Sequence, residues 1–149
     1  MKILLTLFVL LFSSSVVGEN NVKGKKLYCE RIINNLEPTI TQLGFDFYDN
    51  TIVEVIKSHY YYSNTGYWEK EPTSLTGRYD PGDNYIYVEL FPDYSEYYHI
   101  NRKNLETTWQ LDLIYYSGEC KVIEVEDLYF FINTRYEDIV SEIIPKNKI

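Results

Sequence analysis

The sequence predicts a mainly β protein, an antiparallel sheet of seven or eight strands in barrel-like or sandwich form with one C-terminal helix. Short apolar segments with an alternating pattern recur between clusters of turn-forming residues. Aromatic residues, which favour strands, make up 17% of the chain. After Val125 the apolar period changes from two to three or four residues, as in a helix. So many short strands must close or fold over to bury one face, and we expect a barrel.

The N-terminus has the pattern of a secretory signal peptide. A positive charge at Lys2 precedes the apolar segment 3–12, and small residues follow as far as Gly18. The apolar segment is too short to span a bilayer, which takes about 20 residues. We therefore expect cleavage after residue 18 and an exported protein, periplasmic or extracellular, in which residues 19–149 form a single domain.

The chain is acidic and contains few clustered cations. Fourteen Lys and Arg against 22 Asp and Glu give a net charge of −8, and loss of Lys2 with the signal peptide makes the protein one unit more negative. Nucleic acids and anionic membranes require clustered Lys and Arg, so neither is an expected partner, and we expect no membrane insertion. The charge favours neutral or basic partners, and we expect a monomer.

The two cysteines, Cys29 and Cys120, are predicted to form a disulfide. An exported chain usually oxidises an even pair of cysteines. In the chain-entropy model, closing a loop of about 90 residues stabilises the fold by about 4 kcal/mol. A redox or nucleophilic thiol is disfavoured, because the sequence has no Cys-x-x-Cys motif and no histidine near either cysteine.

The first half of the domain is predicted to hold three strands. Residues 25–32 form the first strand, and residues 33–42 form a loop or a short helical turn, because two asparagines and a proline interrupt the apolar residues. Strands at 45–47 and 52–62 flank an Asp-Asn hairpin turn. Residues 64–66, Asn-Thr-Gly, predict a second hairpin, in which glycine supplies the positive φ that such turns often demand.

The segment 85–91 has the clearest division into two faces. It follows a strand at 75–79 and a predicted turn, Asp-Pro-Gly-Asp, at 80–83. Its aliphatic residues fall on one side, which is the expected core face, and its aromatic residues fall on the other. The aliphatic set is Ile86, Val88 and Leu90, and the opposite set is Tyr85, Tyr87, Glu89 and Phe91.

A longer hairpin is predicted from residue 94 onward. Its arms are residues 94–100 and 105–116, joined by the turn 101–104. In the second arm Trp109 falls on the apolar side, so we expect it in the core. Ser117-Gly118 then turns the chain into a last strand at 120–123, which places Cys120 next to the first strand.

An amphipathic helix is predicted at about 125–145. Its apolar face consists of Val125, Leu128, Ile132, Tyr136, Ile139 and Ile143. Pro145 is expected to end the helix, and Asn133-Thr134 leaves open a division into two shorter helices. The helix is expected to cover one end, or an open seam, of the sheet.

The last third of the chain resembles a group of short exported bacterial proteins of unknown function. The resemblance rests on the turn Asn101-Arg102-Lys103-Asn104-Leu105, on Gly118-Glu119-Cys120 and on the closing acidic helix, together with the signal peptide. In that group the turn reads Asn-Arg-x-Thr-Leu, and Asn104 replaces the threonine here. The resemblance implies no activity, since the group has none established.

An exposed aromatic surface is the candidate binding site. Ten of the 16 tyrosines lie between residues 60 and 98. Consecutive tyrosines occupy both faces of a strand, so some rings must lie off the core. The candidate ligand-binding residues are Tyr60, Tyr61, Tyr62, Tyr67, Trp68, Tyr85 and Tyr87. The alternative is a purely structural domain in which all the tyrosines pack as cross-strand pairs.

Acidic pairs near the aromatic residues define a second alternative, a carboxylate-based, glycosidase-like hydrolase in a barrel mouth. Two suitably spaced carboxylates hydrolyse glycosides. The pairs closest to aromatic residues are Glu69 with Glu71 and Glu89 with Glu96. With 22 acids in the chain, such proximity is expected by chance.

The sequence contains no motif typical of a metal site or a catalytic nucleophile. His59 and His99 lack the neighbouring ligands of a zinc site, and residues 80–84 lack the ligand count of a calcium loop. No Gly-x-Ser-x-Gly occurs. We therefore expect no cofactor, no metal and no enzymatic activity, and a protein that binds an unidentified protein or glycan.

Overall fold

The structure, a computed structural model, describes residues 22–33, 39–63, 66–67, 72–91, 96–111 and 114–147. For residues 60–63, 66–67, 110–111, 114–116 and 143–147 the description is of the backbone alone. The predicted signal peptide, residues 1–18, lies outside the described part. No helix within the described ranges has the length and apolar character needed to cross a membrane.

Eight antiparallel strands close into a barrel, as predicted. Around the barrel the order is β2-β1-β9-β8-β7-β6-β5-β3, and β3 pairs with β2 to complete the ring. A short ninth strand, β4, pairs with β3 across the predicted second hairpin. The strands are β1 (Lys26–Ile33), β2 (Thr39–Asp46), β3 (Ile52–Ser63), β4 (Gly66–Tyr67), β5 (Thr73–Pro81), β6 (Tyr85–Leu90), β7 (Glu96–Asn101), β8 (Glu106–Leu111) and β9 (Ile114–Ile123).

Alternate side chains of the strands fill the barrel interior. The predicted core face of β6 is confirmed, because its aliphatic residues are buried there, and Trp109 is buried there as well. The residues of this core include Leu27, Leu43, Phe45, Phe47, Val53, Val55, Tyr79, Ile86, Val88, Leu90, Tyr98, Ile100 and Trp109.

The predicted disulfide is confirmed, and it joins neighbouring strands inside the barrel. Cys29 of β1 and Cys120 of β9 are direct partners in the antiparallel register, with their Cα atoms 4.1 Å apart. Both side chains are buried in the core. The Thr107 hydroxyl lies 2.9 Å from the Cys120 sulfur. The crosslink therefore fixes an early strand to the last strand of the barrel.

The prediction of a loop or helical turn at 33–42 is wrong for its second half, because residues 39–42 begin β2. The outward side chains of β2, Ile40 and Gln42, are buried, and the outward position Gly44 is also covered. A strand that is covered on both faces loses the polar and apolar alternation by which strands are recognised.

The prediction of a single strand over residues 105–116 is also wrong, because two strands, β8 and β9, share this segment. Leu111 of β8 pairs with Ile114 of β9, so the connection is residues 112–113, and Ser117-Gly118 lies inside β9. A Cβ atom at Gly118 would lie 3.5 Å from the Trp109 ring. This glycine therefore sits in a strand beside a large indole ring and does not make a turn.

The turn between β7 and β8 lies where the sequence predicts it. The Asn101 side-chain oxygen accepts a hydrogen bond from the Lys103 amide at 2.8 Å, and the Asn104 oxygen accepts one from the Glu106 amide at 3.0 Å. Leu105 has a φ of 59°, the left-handed region in which non-glycine residues are uncommon. Its carbonyl accepts a hydrogen bond from the Cys120 amide at 3.1 Å, which connects this strained turn to β9.

The C-terminal helix, α1, spans Leu128–Asn147 and is unbroken. The predicted start at 125 is too early, because the Asp127 carboxylate accepts a hydrogen bond from the Phe130 amide at 2.9 Å and so caps the helix one residue before Leu128. The alternative break at Asn133-Thr134 does not occur. Pro145 lies inside the last turn, since the helix continues for two residues beyond it.

Helix α1 covers the outer face of β1, β2 and β3, whereas the sequence suggested that it would cover an end or a seam. The outward residues of these strands include large apolar side chains, which supply a surface for the helix. Two clusters form the contact: Ile40 with Tyr136 and Ile139, and Tyr28 and Ile56 with Leu128 and Ile132. The predicted apolar face of the helix is thereby confirmed at four positions, Leu128, Ile132, Tyr136 and Ile139.

A buried polar network lies at the centre of this contact. The Gln42 amide nitrogen, fully buried, donates hydrogen bonds to the Tyr28 hydroxyl at 2.9 Å and to the Ile132 carbonyl at 3.2 Å. The Ser58 hydroxyl donates to the Gln42 side-chain oxygen at 2.9 Å. Because buried polar groups are costly when unpaired, this network fixes the position of α1 on the sheet.

An ion pair between Glu30 of β1 and Arg135 of α1 adjoins the network. The guanidinium donates two hydrogen bonds of 3.0 Å to the carboxylate, and the Tyr28 hydroxyl donates a third of 2.7 Å. Burial raises the pKa of Glu30, but the hydrogen bonds from Arg135 and Tyr28 and the charge of Arg135 outweigh it, so the pKa lies below its usual value.

This shift predicts an acid-dependent loss of stability. Because the folded pKa of Glu30 lies below the unfolded one, the pair stabilises the fold above the unfolded pKa, and this contribution disappears as pH falls through the folded pKa. At pH 7, E30Q should lower the free energy of unfolding by roughly 1 kcal/mol, since both side chains are about one-third exposed and solvent screens the charges. Urea denaturation at pH 7 and at about pH 3 measures the change.

The difference between wild type and E30Q should become smaller at the lower pH, because a growing fraction of Glu30 is protonated in the folded protein. The exposed Glu119 provides a matched control, E119Q, in which the same charge is removed on another strand. A difference between wild type and E30Q that is constant with pH would contradict the assignment of stability to the ionised carboxylate.

Candidate ligand-binding surface

Strand alternation places a set of aromatic side chains on the outside of the barrel, away from α1. On β6, Tyr85 and Tyr87 point outward and are 40% and 43% exposed. On β7, Tyr98 and Ile100 fill the interior, so Tyr97 and His99 point outward, where they are half-buried. These four outward residues, Tyr85, Tyr87, Tyr97 and His99, are called the aromatic strip below.

The register of β5, β6 and β7 brings charged residues to the same surface. Tyr87 lies opposite His99 on β7 and opposite Asp80 on β5. Glu89 lies opposite Tyr97 on β7 and opposite Arg78 on β5. Two cross-strand rows result, Asp80-Tyr87-His99 and Arg78-Glu89-Tyr97.

The rings of the aromatic strip form a continuous series of contacts. The Tyr85 and Tyr87 ring centroids are 6.2 Å apart with planes inclined at 38°. Tyr87 meets His99 edge to face, at 4.8 Å and 82°, and Tyr97 lies 5.3 Å from His99 at 36°. Such pairs are favourable beyond the area they bury, so each ring helps to hold its neighbour in place.

A recess of about 440 Å³ lies over part of the strip. Ligand pockets typically occupy about 300–1,000 Å³. The outward side chains that line it are Arg78, Asp80, Tyr87, Glu89, Tyr97 and His99. The three charged residues are exposed, and the Arg78 guanidinium lies over the Phe91 ring, 4.9 Å from its centroid. The recess therefore offers ring faces, carboxylates and one cation in close proximity.

Comparisons with known proteins give no relative from which to transfer a role. No family model, curated protein or solved structure matches the chain. The surface is therefore interpreted from its own geometry and chemistry.

The structure brings two of the sequence-predicted site residues together, Tyr85 and Tyr87. The side chains of four others, Tyr60, Tyr61, Tyr62 and Tyr67, lie outside the described part of the chain, as does the whole of Trp68. Sequence reasoning did not assign His99, Arg78 or Asp80 to the site. Alternation along β7 is the signal for His99, whereas the two charged residues join the site only through the β5–β6 register.

A second polar cluster lies inside the barrel. The Lys57 ammonium and the Tyr98 hydroxyl both donate hydrogen bonds to the Glu96 carboxylate, which is buried. Burial and the Glu96 charge raise the pKa of Tyr98, so this hydroxyl stays protonated as a donor. His59 points inward as well, with its Nδ1 atom 2.8 Å from the Thr41 hydroxyl.

The inward and outward positions also bear on the catalytic and metal alternatives. Glu89 points outward and Glu96 inward, so this pair of carboxylates does not converge. The other pair, Glu69 and Glu71, lies outside the described residues. His59 and His99 lie on opposite faces of the barrel wall, and no cluster of three or more His, Cys, Asp or Glu suited to a metal occurs within the ranges given above.

Proposed function

We propose that this is an exported, non-enzymatic binding protein that takes its ligand on the aromatic strip. The observation that carries the proposal is the continuous series of four rings on the solvent side of β6 and β7, two of them more than one-third exposed, beside a recess with three charged side chains.

Exposed rings in a contiguous group favour a binding surface over simple packing. A single exposed apolar residue needs no explanation, but contiguous apolar surface rimmed by polar residues is typical of interaction sites. Tyrosine suits such sites because its rigid ring contributes a large contact area and its hydroxyl remains hydrated. Across the same strands the aliphatic residues already fill the core, so the strip is not needed to bury the interior.

Export is supported by the N-terminal pattern and by the disulfide. Disulfides persist in the periplasm and outside the cell and are rare in the cytosol. The Cys29–Cys120 bond therefore agrees with secretion of the chain after cleavage near residue 18. A ligand in those compartments would be another protein or a glycan, the two classes that the acidic, aromatic surface favours.

Truncation of Tyr87 is the direct test. Y87A should weaken binding about tenfold or more, because aromatic residues at the centre of an interface contribute most of its energy. Calorimetric titration with a defined panel, hexamers of glucose and of N-acetylglucosamine and ten-residue peptides of lysine, of arginine and of glutamate, measures the affinities.

The matched control is Y48A. Tyr48 is 51% exposed but lies after β2, outside the aromatic strip, so its loss should leave binding unchanged. The proposal fails if no member of the panel binds the wild-type protein, or if binding survives Y87A at full strength.

A further inference from the structure

We infer that the ligand of the aromatic strip is cationic, a lysine or arginine side chain on the surface of a basic protein, bound between the rings of Tyr87 and Tyr97 and beside Asp80. The inference rests on the proposed binding function and names the chemistry of its ligand. It depends on the angles between the rings and on the position of the carboxylates.

The ring planes favour a compact cation over a flat sugar. The Tyr87 ring plane is nearly perpendicular to that of His99, whereas the Tyr97 ring plane is inclined to that of His99 by only 36°. The planes of the two tyrosine rings are therefore not parallel to each other. A pyranose ring stacks on two rings at once only when their planes are close to parallel. An ammonium or guanidinium group, in contrast, is attracted to the face of each ring that it approaches, and inclined rings surround it.

The carboxylates complete the environment of a cation. Asp80 lies opposite Tyr87 in the sheet and Glu89 lies opposite Tyr97, so each tyrosine has an acidic neighbour on the adjacent strand. Both acids are exposed, so a partner can reach them. The net charge of −8 adds a long-range attraction for basic partners and raises the rate of encounter.

Among the described residues that line the recess, Arg78 is the one cation. The Arg78 guanidinium lies over Phe91, and its strand partner is Glu89. Asp80 has Tyr87 as its partner on β6, so Arg78 and Asp80 face different residues across the β5–β6 pair. Arg78 should nonetheless repel an incoming cation, which gives the inference a distinctive test.

The probe is a ten-residue lysine peptide, compared with the same peptide acetylated on every side-chain amine. Calorimetric titration of the wild-type protein at an ionic strength of about 0.1 M should detect the charged peptide. Acetylation should weaken binding about tenfold or more, since it removes the attraction to the rings and to the carboxylate. D80N should weaken binding of the charged peptide about fivefold, and R78Q should strengthen it at least twofold.

Two control variants distinguish an effect of charges at the site from an effect of the net charge of the protein. E126Q removes one negative charge from an exposed residue outside the aromatic strip, and R31Q removes one positive charge from an exposed residue of β1. Each should change the affinity less than its matched variant, D80N or R78Q. Equal effects within either pair would overturn the inference, as would equal binding of the acetylated peptide.

The outcomes also separate this inference from the proposed function. If a glucose or N-acetylglucosamine hexamer binds in a Tyr87-dependent way and the lysine peptide does not, the binding function stands and the cationic ligand is wrong. If neither the glycan hexamers nor the peptides bind, the proposed binding function and the cationic ligand are both wrong.

Discussion

Replacement of both Cys29 and Cys120 by alanine is expected to lower the free energy of unfolding by about 4 kcal/mol. The crosslink spans 91 residues of sequence, so it removes much of the freedom of the unfolded chain. The melting temperature should fall by roughly 10 °C or more. Thermal and urea denaturation of the oxidised wild type and of the double variant measure both quantities.

Reduction of the wild-type protein serves as the control for this prediction. A reducing agent should destabilise the wild type to a similar extent and should leave the double variant unchanged, because that variant has no disulfide to reduce. A loss below about 1 kcal/mol in the double variant would contradict this entropic account, and would mean that the unfolded chain is already restricted without the crosslink.

Placing valine at Gly44 is expected to lower the free energy of unfolding by about 3 kcal/mol and to loosen α1. A Cβ atom at this position would lie 2.6 Å from Ile132 Cδ1 and 2.9 Å from Leu128 Cδ2, closer than side chains approach one another. The helix must therefore move away from β2 or its side chains must leave their preferred conformations. Urea denaturation gives the energy, and amide hydrogen exchange in α1 gives the loosening.

A steric origin of the destabilisation can be tested by shortening Ile132, the side chain that a Cβ atom at residue 44 would meet. The double variant G44V/I132A should lose less stability than the sum of its two single variants, because the shortened side chain no longer meets the new one. At Gly118 a Cβ atom would be in ordinary contact with Trp109, so G118A should have only a small effect. Additive losses in the double variant would contradict a steric cause.

The parts of the barrel that could be predicted are those in which one face meets solvent. Strand β6 alternates aliphatic and exposed residues, and this alternation identified both its core face and Tyr85 and Tyr87. Strand β2 was missed over residues 39–42 because its outer face is buried under α1, which hides the alternation. The fully buried Gln42 gives no local sign of its role, since its hydrogen-bond partners come from β1, β3 and α1.

Turn chemistry explains a second group of successes and failures. The turn after β7 contains asparagines whose side chains bind the backbone, and its position was predicted. Residues 112–113 are Asp-Leu, which continue the polar and apolar alternation of the preceding strand and so give no clear turn signal, whereas Ser117-Gly118 resembles a turn and lies in a strand. Gly118 lies beside Trp109 of the neighbouring strand, a position that the local sequence does not reveal.

The candidate site was predictable only along a single strand. Alternation shows which residues of one strand share a face, and this is how Tyr85 and Tyr87 were found. The row Asp80-Tyr87-His99 depends on the register of three strands, and register is set by the whole sheet. Asp80, which the sequence assigns to a turn but which lies in β5, and His99 of β7 are neighbours of Tyr87 for reasons that no short segment contains.

Closure of the ring through β2 and β3 has a consequence for assembly between copies of the protein. An open sheet presents unpaired backbone groups that invite another chain to add a strand, and tyrosine-rich segments with high β-propensity are prone to stack into fibrils. Each of the eight barrel strands has a hydrogen-bonded neighbour on both sides. The barrel can therefore display tyrosines on its outer wall without offering their backbone as a template for cross-β growth.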